Sequence, residues 1–230
     1  MNFPYRFKVI FLSFLAVSIC YIDRVNISVA IIPMQEQFGW SEFQVGIILS
    51  SFYFGYMFTL IIGGYLADKY GGKKVLGYGL LIWSFFTIIT PFFAYSGLWW
   101  LILIRILMGL GEGITFPSWH AIYARWIPFN ERTRAVAFTN SGIAAGTLFG
   151  YVVAALIIAK YSWEWVFYLF GILGIFWYFF WNESVTSFPE DNKNLSVQEL
   201  KLIKNEAPSK ESAPSIPFFK LIKNMPFVAI

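Results

Sequence analysis

The chain has 230 residues, of which 58% are hydrophobic, 21% aromatic and only 13% charged, with a mean hydropathy of +0.62. Soluble globular domains carry about a quarter charged residues, so this composition excludes a soluble enzyme or binding domain and identifies an integral membrane protein. The net charge of +4, from 17 Lys and Arg against 13 Asp and Glu, would suit nucleic acid only if the basic residues shared one polar surface. They are spread over membrane connections instead, and no nucleic-acid partner is expected.

In chain order, Arg6 and Lys8 precede an apolar run at 9–32. It is too long for a signal-peptide core and has no clear small-residue cleavage site, so it reads as a retained first span. Cys20 lies inside it; a single cysteine permits no intrachain disulfide and reads as a small buried hydrophobe. Further apolar runs follow at 45–67, 75–95, 98–123, 135–158 and 163–181. Each approaches the 20 or so residues needed to cross a hydrocarbon core of roughly 30 Å. The breaks carry turn residues: Pro33 and Gly39, Gly71 and Gly72, Ser96 and Gly97, Pro128 and Asn130, Tyr161 and Ser162. The expected fold class is an all-α membrane protein, a bundle of six transmembrane helices.

Sorted by side, fourteen Lys and Arg fall at the amino end, in the second and fourth connections and in the tail, against Lys160 alone on the other side. The positive-inside rule therefore places both ends of the chain in the cytoplasm, with a bacterial inner membrane as the expected location. Trp40, Trp99, Trp100, Trp163 and Trp165 fall at the outer boundary and Trp119, Trp126 and Trp181 at the inner one, where tryptophan serves as an interface anchor.

After the sixth span the composition turns polar. Ser196 and Glu199 have capping-box spacing ahead of a short amphipathic helix containing Leu200 and Ile203. Residues 218–230 become apolar again. The expected division is a six-helix bundle at 1–181, a cytoplasmic central loop at 182–217 and the start of a truncated seventh span at 218–230.

Four charged side chains lie within the spans: Asp23 and Arg24 in the first, Arg105 and Glu112 in the fourth. At about 2.5 to 3.5 kcal/mol each in lipid, they must face protein or water. Counting about 1.5 Å per residue from the outer ends puts Arg24 and Arg105 in one layer about 10 to 12 Å deep, with Tyr21, Tyr56 and Glu112 below them at about 16 to 21 Å. Arg105 and Glu112, seven residues apart, share a helix face but sit about 10 Å apart along it, so each needs a partner from elsewhere. The functional reading is an aqueous cavity in which guanidinium groups hold an anion and carboxylates exchange protons. A buried network that only pins the first span to the fourth is the alternative. His120 reads as a polar boundary residue, and Asn140 and Ser141 suit a neighbouring helix as well as a substrate.

Gly142, Gly146 and Gly150 form a four-residue stripe for close helix approach. Gly109, Gly111 and Gly113 flank Glu112 ahead of Pro117, a stretch where the backbone is free to bend.

The connection after the second span reads Gly63, Gly64, Tyr65, Leu66, Ala67, Asp68, Lys69, Tyr70, Gly71, Gly72, Lys73, Lys74. It resembles the signature loop of the major facilitator superfamily, except that Gly72 stands where many members place the first basic residue. Asp68, at a helix carboxyl end, needs cationic partners, and Arg125, Arg132 and Arg134 are within topological reach. Three further stretches resemble the anion:cation symporters, which include sialic acid, vesicular glutamate, galactonate, glucarate and hexuronate carriers. They are Tyr21, Asp23, Arg24 and Asn26; Arg105, Gly109, Glu112, Gly113 and Pro117; and Trp126, Pro128, Glu131 and Arg132. The resemblance implies that Arg24 contacts the substrate anion with Tyr21, Tyr56 and Asn26 at the same site. It also implies that Asp23 and Glu112 couple protons, that Arg105 supports the site, and that Gly64, Asp68, Lys69, Gly71, Lys73 and Lys74 belong to a conformational gate.

The expected activity is secondary active transport, proton-coupled symport of a small organic anion such as a sugar acid, with the chain forming the amino-terminal half of a carrier and a second six-helix half as its partner. An organophosphate or phosphate antiporter of the same superfamily is the first alternative, although the second span lacks the lysine usual in the organophosphate group. A structural or channel-like six-helix oligomer is the other. An enzyme is not expected, nor a cofactor or metal: only His120 and Cys20 are available as soft ligands, and no phosphate-binding glycine loop leads into a helix-starting lysine and hydroxyl.

Overall fold

A computed structural model describes residues 4–206, which form helices joined by short connections with no strand among them. The first helix, α1 (Tyr5–Phe38), starts directly after Pro4 and ends at Gly39, whose φ of 66° is the left-handed cap that glycine adopts without steric cost. The second, α2 (Glu42–Tyr70), opens with the reciprocal bonds of a capping box: Gln44 N–H donates to Ser41 Oγ at 3.3 Å and Ser41 N–H to Gln44 Oε1 at 2.8 Å. Gly71, at φ 87°, turns the chain into α3 (Gly72–Ser96). The fourth span is split into α4 (Leu98–Glu112) and α5 (Thr115–Trp126), interrupted at Gly113 and Ile114. There follow α6 (Phe129–Lys160), α7 (Glu164–Ser184), a single 3-10 turn (Pro189–Asp191) and α8 (Val197–Glu206).

Among the described residues six helical segments are long and apolar enough to cross a membrane, α4 and α5 together making one of them. The protein is an integral, multi-pass membrane protein. Its helices outrun the expected spans: α6 begins at Phe129 rather than 135, because Glu131, Arg132 and Arg134 are good helix formers that end the apolar run without ending the helix. The short helix expected after the sixth span does form, as α8. Residues 207–230, including the expected start of a seventh span, lie outside the described residues.

The bundle is assembled from three close pairs, α1 with α6, α2 with α4 and α3 with α7. Small residues set the first two. A Cβ on Gly146 would run into Ser18 O and one on Gly109 into Phe52 O, so these backbones meet without intervening side chains. The faces left most open belong to α2 and α6, where Phe54, Met57, Phe58, Leu148 and Leu156 are each more than 60% exposed.

Tryptophan departs from expectation. Trp99, Trp100 and Trp165 are exposed, as interface anchors should be, but Trp119, Trp126, Trp163 and Trp181 are buried. Trp126, Trp163 and Trp181 donate their indole N–H to Thr186 O, Gln37 Oε1 and Lys73 O, tying helix ends together inside the protein.

The basic end of the bundle is held by Arg6. Its Nε and Nη2 donate to Glu131 of α6 at 2.7 and 3.0 Å, and its Nη1 to Glu199 of α8 at 3.1 Å. Glu199 also accepts the backbone N–H groups of Tyr5 and Arg6 at 2.9 and 3.0 Å, a carboxylate satisfying the orphan donors of a helix start. Ser196 Oγ caps Glu199 N–H at 3.1 Å as expected, but the Glu199 side chain closes on α1 instead of its own cap.

Candidate functional site

The four intramembrane charges gather where α1, α2, α3 and α4 converge. Arg24 donates through both Nε, at 2.9 Å, and Nη2 to a single oxygen, Oε1 of Glu112. Cys20, one turn before Arg24, donates its thiol to the same oxygen at 3.1 Å. Glu112 is buried, while Arg24 keeps 16% of its side chain accessible. The guanidinium sits over the rings of Tyr21 and Tyr56, each at 4.7 Å, with Phe52 at 5.5 Å. Counting α-carbons by depth puts Arg24 and Glu112 in different layers, but the long arginine side chain spans the gap and joins them.

Arg105 is almost fully buried. Its guanidinium lies 5.1 Å from the Phe52 ring, Nη1 has only the Met108 sulfur at 3.9 Å, and Nε has no partner. It remains within electrostatic reach of Asp23 and Glu112. Asp23 is fully buried; Oδ2 accepts from Trp83 Nε1 at 3.0 Å and Oδ1 has no partner. One turn on, Asn26 is also fully buried with neither amide atom bonded. Two arginines and two carboxylates therefore balance in formal charge, yet several of the polar atoms around them are left unsatisfied among the described residues, an expensive arrangement in a low-dielectric interior.

The break between α4 and α5 falls immediately after Glu112, where Gly113 packs so closely on α2 that a Cβ would strike Tyr56 O and Thr59 Oγ1. Backbone strain is not needed for this; the glycine is there for proximity.

The sequence missed Cys20 and Trp83 as members of the site. Cys20 is buried, as expected, but it is a hydrogen-bond donor to Glu112 rather than a bystander. Trp83 carried a usable signal: a tryptophan in mid-span, away from either interface, has an N–H that must find a partner. His120 is exposed and stacks on Trp119 with ring centres 3.7 Å apart, and Ser141 donates to Phe138 O of its own helix rather than to a neighbouring one.

The loop residues Asp68, Lys69, Gly71, Lys73 and Lys74 line a cleft of about 430 Å3 together with Arg125, and Gly64 faces open space. Among the described residues Asp68 makes no ion pair. Of the three arginines within its topological reach only Arg125 shares the cleft; Arg132 donates to the carbonyls of Ala124 and Ile127 and Arg134 lines a different groove.

A sequence model of the Major Facilitator Superfamily matches residues 13–230. The chain is 42% identical over 225 residues to the chloroplastic ascorbate transporter of Arabidopsis thaliana, covering 98% of this chain and 41% of that protein. It is 41% identical over 229 residues to the chloroplastic sodium-dependent phosphate transport protein 1 of the same plant, covering 100% and 45%. Probable anion transporter 4, chloroplastic, of Oryza sativa subsp. japonica is 42% identical over 225 residues, covering 98% and 38%. The chain thus spans less than half the length of these relatives. Two solved structures share its fold: the partially occluded inward-open xylose transporter XylE of E. coli, at a TM-score of 0.72 and 17% identity over 87% of this chain and 57% of that one, and a bacterial homologue of the human lysosomal transporter Spinster, at 0.71 and 20% over 86% and 47%. Six spans, the split fourth helix, the loop after α2 and these likenesses lead to one assignment: the chain belongs to the major facilitator superfamily, is related to its anion transporters, and forms the amino-terminal half of that fold.

Proposed function

We propose that this bundle is the anion-holding half of a cation-coupled carrier, with Arg24 as the group that receives the substrate. The observation that carries the reading is the pairing of Arg24 with Glu112 through one carboxylate oxygen. A guanidinium so engaged is a poor receptor for an external anion. Protonation of Glu112 removes its charge and frees the planar fork for a carboxylate or phosphate, so loading a proton and loading an anion favour one another. Tyr21 and Tyr56 wall the guanidinium. Arg105 and Asp23 hold the neighbouring field, with Asp23 as a second proton carrier, and the buried amide of Asn26, unbonded among the described residues, would meet substrate once the site opens. The first reading of the substrate is a small organic anion such as a sugar acid, moved with protons.

A phosphate substrate is the second reading, favoured by the 41% identity to a protein named as a sodium-dependent phosphate transporter. The open faces of α2 and α6 and Asp68, which makes no ion pair among the described residues, support a second six-helix half docking there, with 1–181 as the bundle, 182–217 as the central loop and the loop after α2 as part of a gate. The named relatives are chloroplastic and lend no support to the bacterial inner membrane expected from the sequence.

The test is uptake into proteoliposomes by the full-length carrier under an imposed proton gradient, comparing ascorbate, sugar acids and inorganic phosphate. Saturable uptake of a carboxylate that collapses with the proton gradient is expected. Uptake of phosphate alone, driven by sodium and indifferent to the proton gradient, would replace the first reading with the second.

A further inference from the structure

Two cavities lie end to end along the seam of α1 and α6 and share Phe11. The one at the basic end has a volume of about 740 Å3; Phe7, Phe11 and Phe138 wall it, and Lys8, Arg134 and Glu131 stand at its rim. The other, about 630 Å3, continues to Ile22 and Phe149 with Phe176 of α7 at its side. Its polar groups are already used: the Ser18 hydroxyl donates to Phe14 O and the Trp177 N–H to Leu12 O. From Lys8 to Ile22 the slot runs about 21 Å along the helix, somewhat more than one leaflet of a hydrocarbon core roughly 30 Å thick.

The charges at the rim are not equivalent. Glu131 is held by Arg6, which also holds Glu199. Lys8 and Arg134 form no ion pair among the described residues, and Lys8 Nζ rests 5.4 Å from the Tyr5 ring. Two cations without an ion pair among the described residues thus stand at the mouth of an apolar slot about one leaflet deep, on the side where the positive-inside count places the cytoplasm. A soluble anion would use the cations and leave the slot unfilled; a purely apolar helix would fill the slot and leave the cations without a counter-charge. An amphiphile with an anionic head and an acyl chain satisfies both.

We propose that the α1/α6 groove binds one anionic phospholipid of the basic-side leaflet, its phosphate between Lys8 and Arg134 and an acyl chain lying along Phe11 toward Ile22. Neither cavity is lined by Arg24, Asp23 or Glu112, so the lipid site stands independently of the transport assignment.

Native mass spectrometry of the purified protein with equal amounts of phosphatidylglycerol and phosphatidylcholine tests it. Phosphatidylglycerol should be retained preferentially, and the preference should fall as salt is raised. Lys8→Ala and Arg134→Ala should each weaken phosphatidylglycerol binding about fivefold and together about 25-fold, with phosphatidylcholine unaffected. Ala145→Trp, which fills the slot from α6 and leaves both cations in place, should displace the lipid, whereas Lys201→Ala on α8 should change nothing. Equal retention of the two lipids, an unchanged double variant, or displacement of phosphatidylglycerol by inorganic phosphate alone would each overturn the proposal.

Discussion

Arg6 and Arg24 both stand on α1 and both hold carboxylates from distant parts of the chain, yet they are built to opposite specifications. Around Arg6 the two carboxylates are shared among a guanidinium and two backbone N–H groups, joining the starts of α1, α6 and α8. Around Arg24 three donors crowd onto one oxygen, while Asp23 Oδ1, Arg105 Nε and both amide atoms of Asn26 go without partners among the described residues. A network in which the donors and acceptors are matched rigidifies what it joins. One that leaves buried groups unmatched is costly to keep unless something else completes it. The contrast separates the arginine that fastens the bundle from the arginine proposed to receive a substrate.

The largest effect should come from breaking the incomplete network. Arg24→Lys replaces the fork by a point charge, and uptake by the full-length carrier should fall about 100-fold or more, because an ammonium cannot hold an anion through two parallel charge-assisted hydrogen bonds. Protein level and membrane insertion should be unchanged. Wild-type uptake at equal protein level would remove Arg24 from substrate binding.

Next, Glu112→Gln keeps the shape and a hydrogen-bonding group but cannot titrate. Accumulation driven by a proton gradient should collapse to simple equilibration while substrate exchange persists, which a counterflow assay reads. Undiminished accumulation would make Glu112 a structural partner like Glu131.

Arg6→Ala should act on the other side of the comparison. It leaves Glu131 and Glu199 without their shared cation, and thermal unfolding in detergent should show a loss of about 2 kcal/mol, while the Michaelis constant per folded carrier stays at its wild-type value. A shifted Michaelis constant with intact stability would reverse the two roles.

The smallest effect should be Lys204→Ala, which removes an ion pair with Glu190 at 3.4 Å whose lysine is 53% exposed. Exposed pairs of this kind contribute below about 1 kcal/mol. A large destabilisation would mean that the tail beyond α7 bears more on the bundle than Arg6 does.

Much of this architecture was legible because the bilayer imposes a length and a polarity on each span: the six runs, and the bend after Glu112 signalled by three glycines and Pro117. The candidate site was legible as a set of residues and not as a set of bonds. Charges in a span announce themselves singly, but which pairs form depends on side-chain reach, and Arg24 crosses the distance that counting along the backbone kept open. Trp83 and Cys20 escaped because their roles are set by what faces them from another helix. Glu199 escaped for the same reason: its spacing to Ser196 is a local signal, and a better set of donors at the start of α1 outbid the local one.

The single cysteine among these 230 residues gives the site its own reporter. Cys20 is fully buried and spends its thiol proton on Glu112, so alkylation by a small maleimide must wait for the Arg24–Glu112 contact to open. Its modification rate therefore clocks that opening in the unaltered chain, and a bound anion that holds Arg24 away from Glu112 would change the rate with no label engineered into the protein.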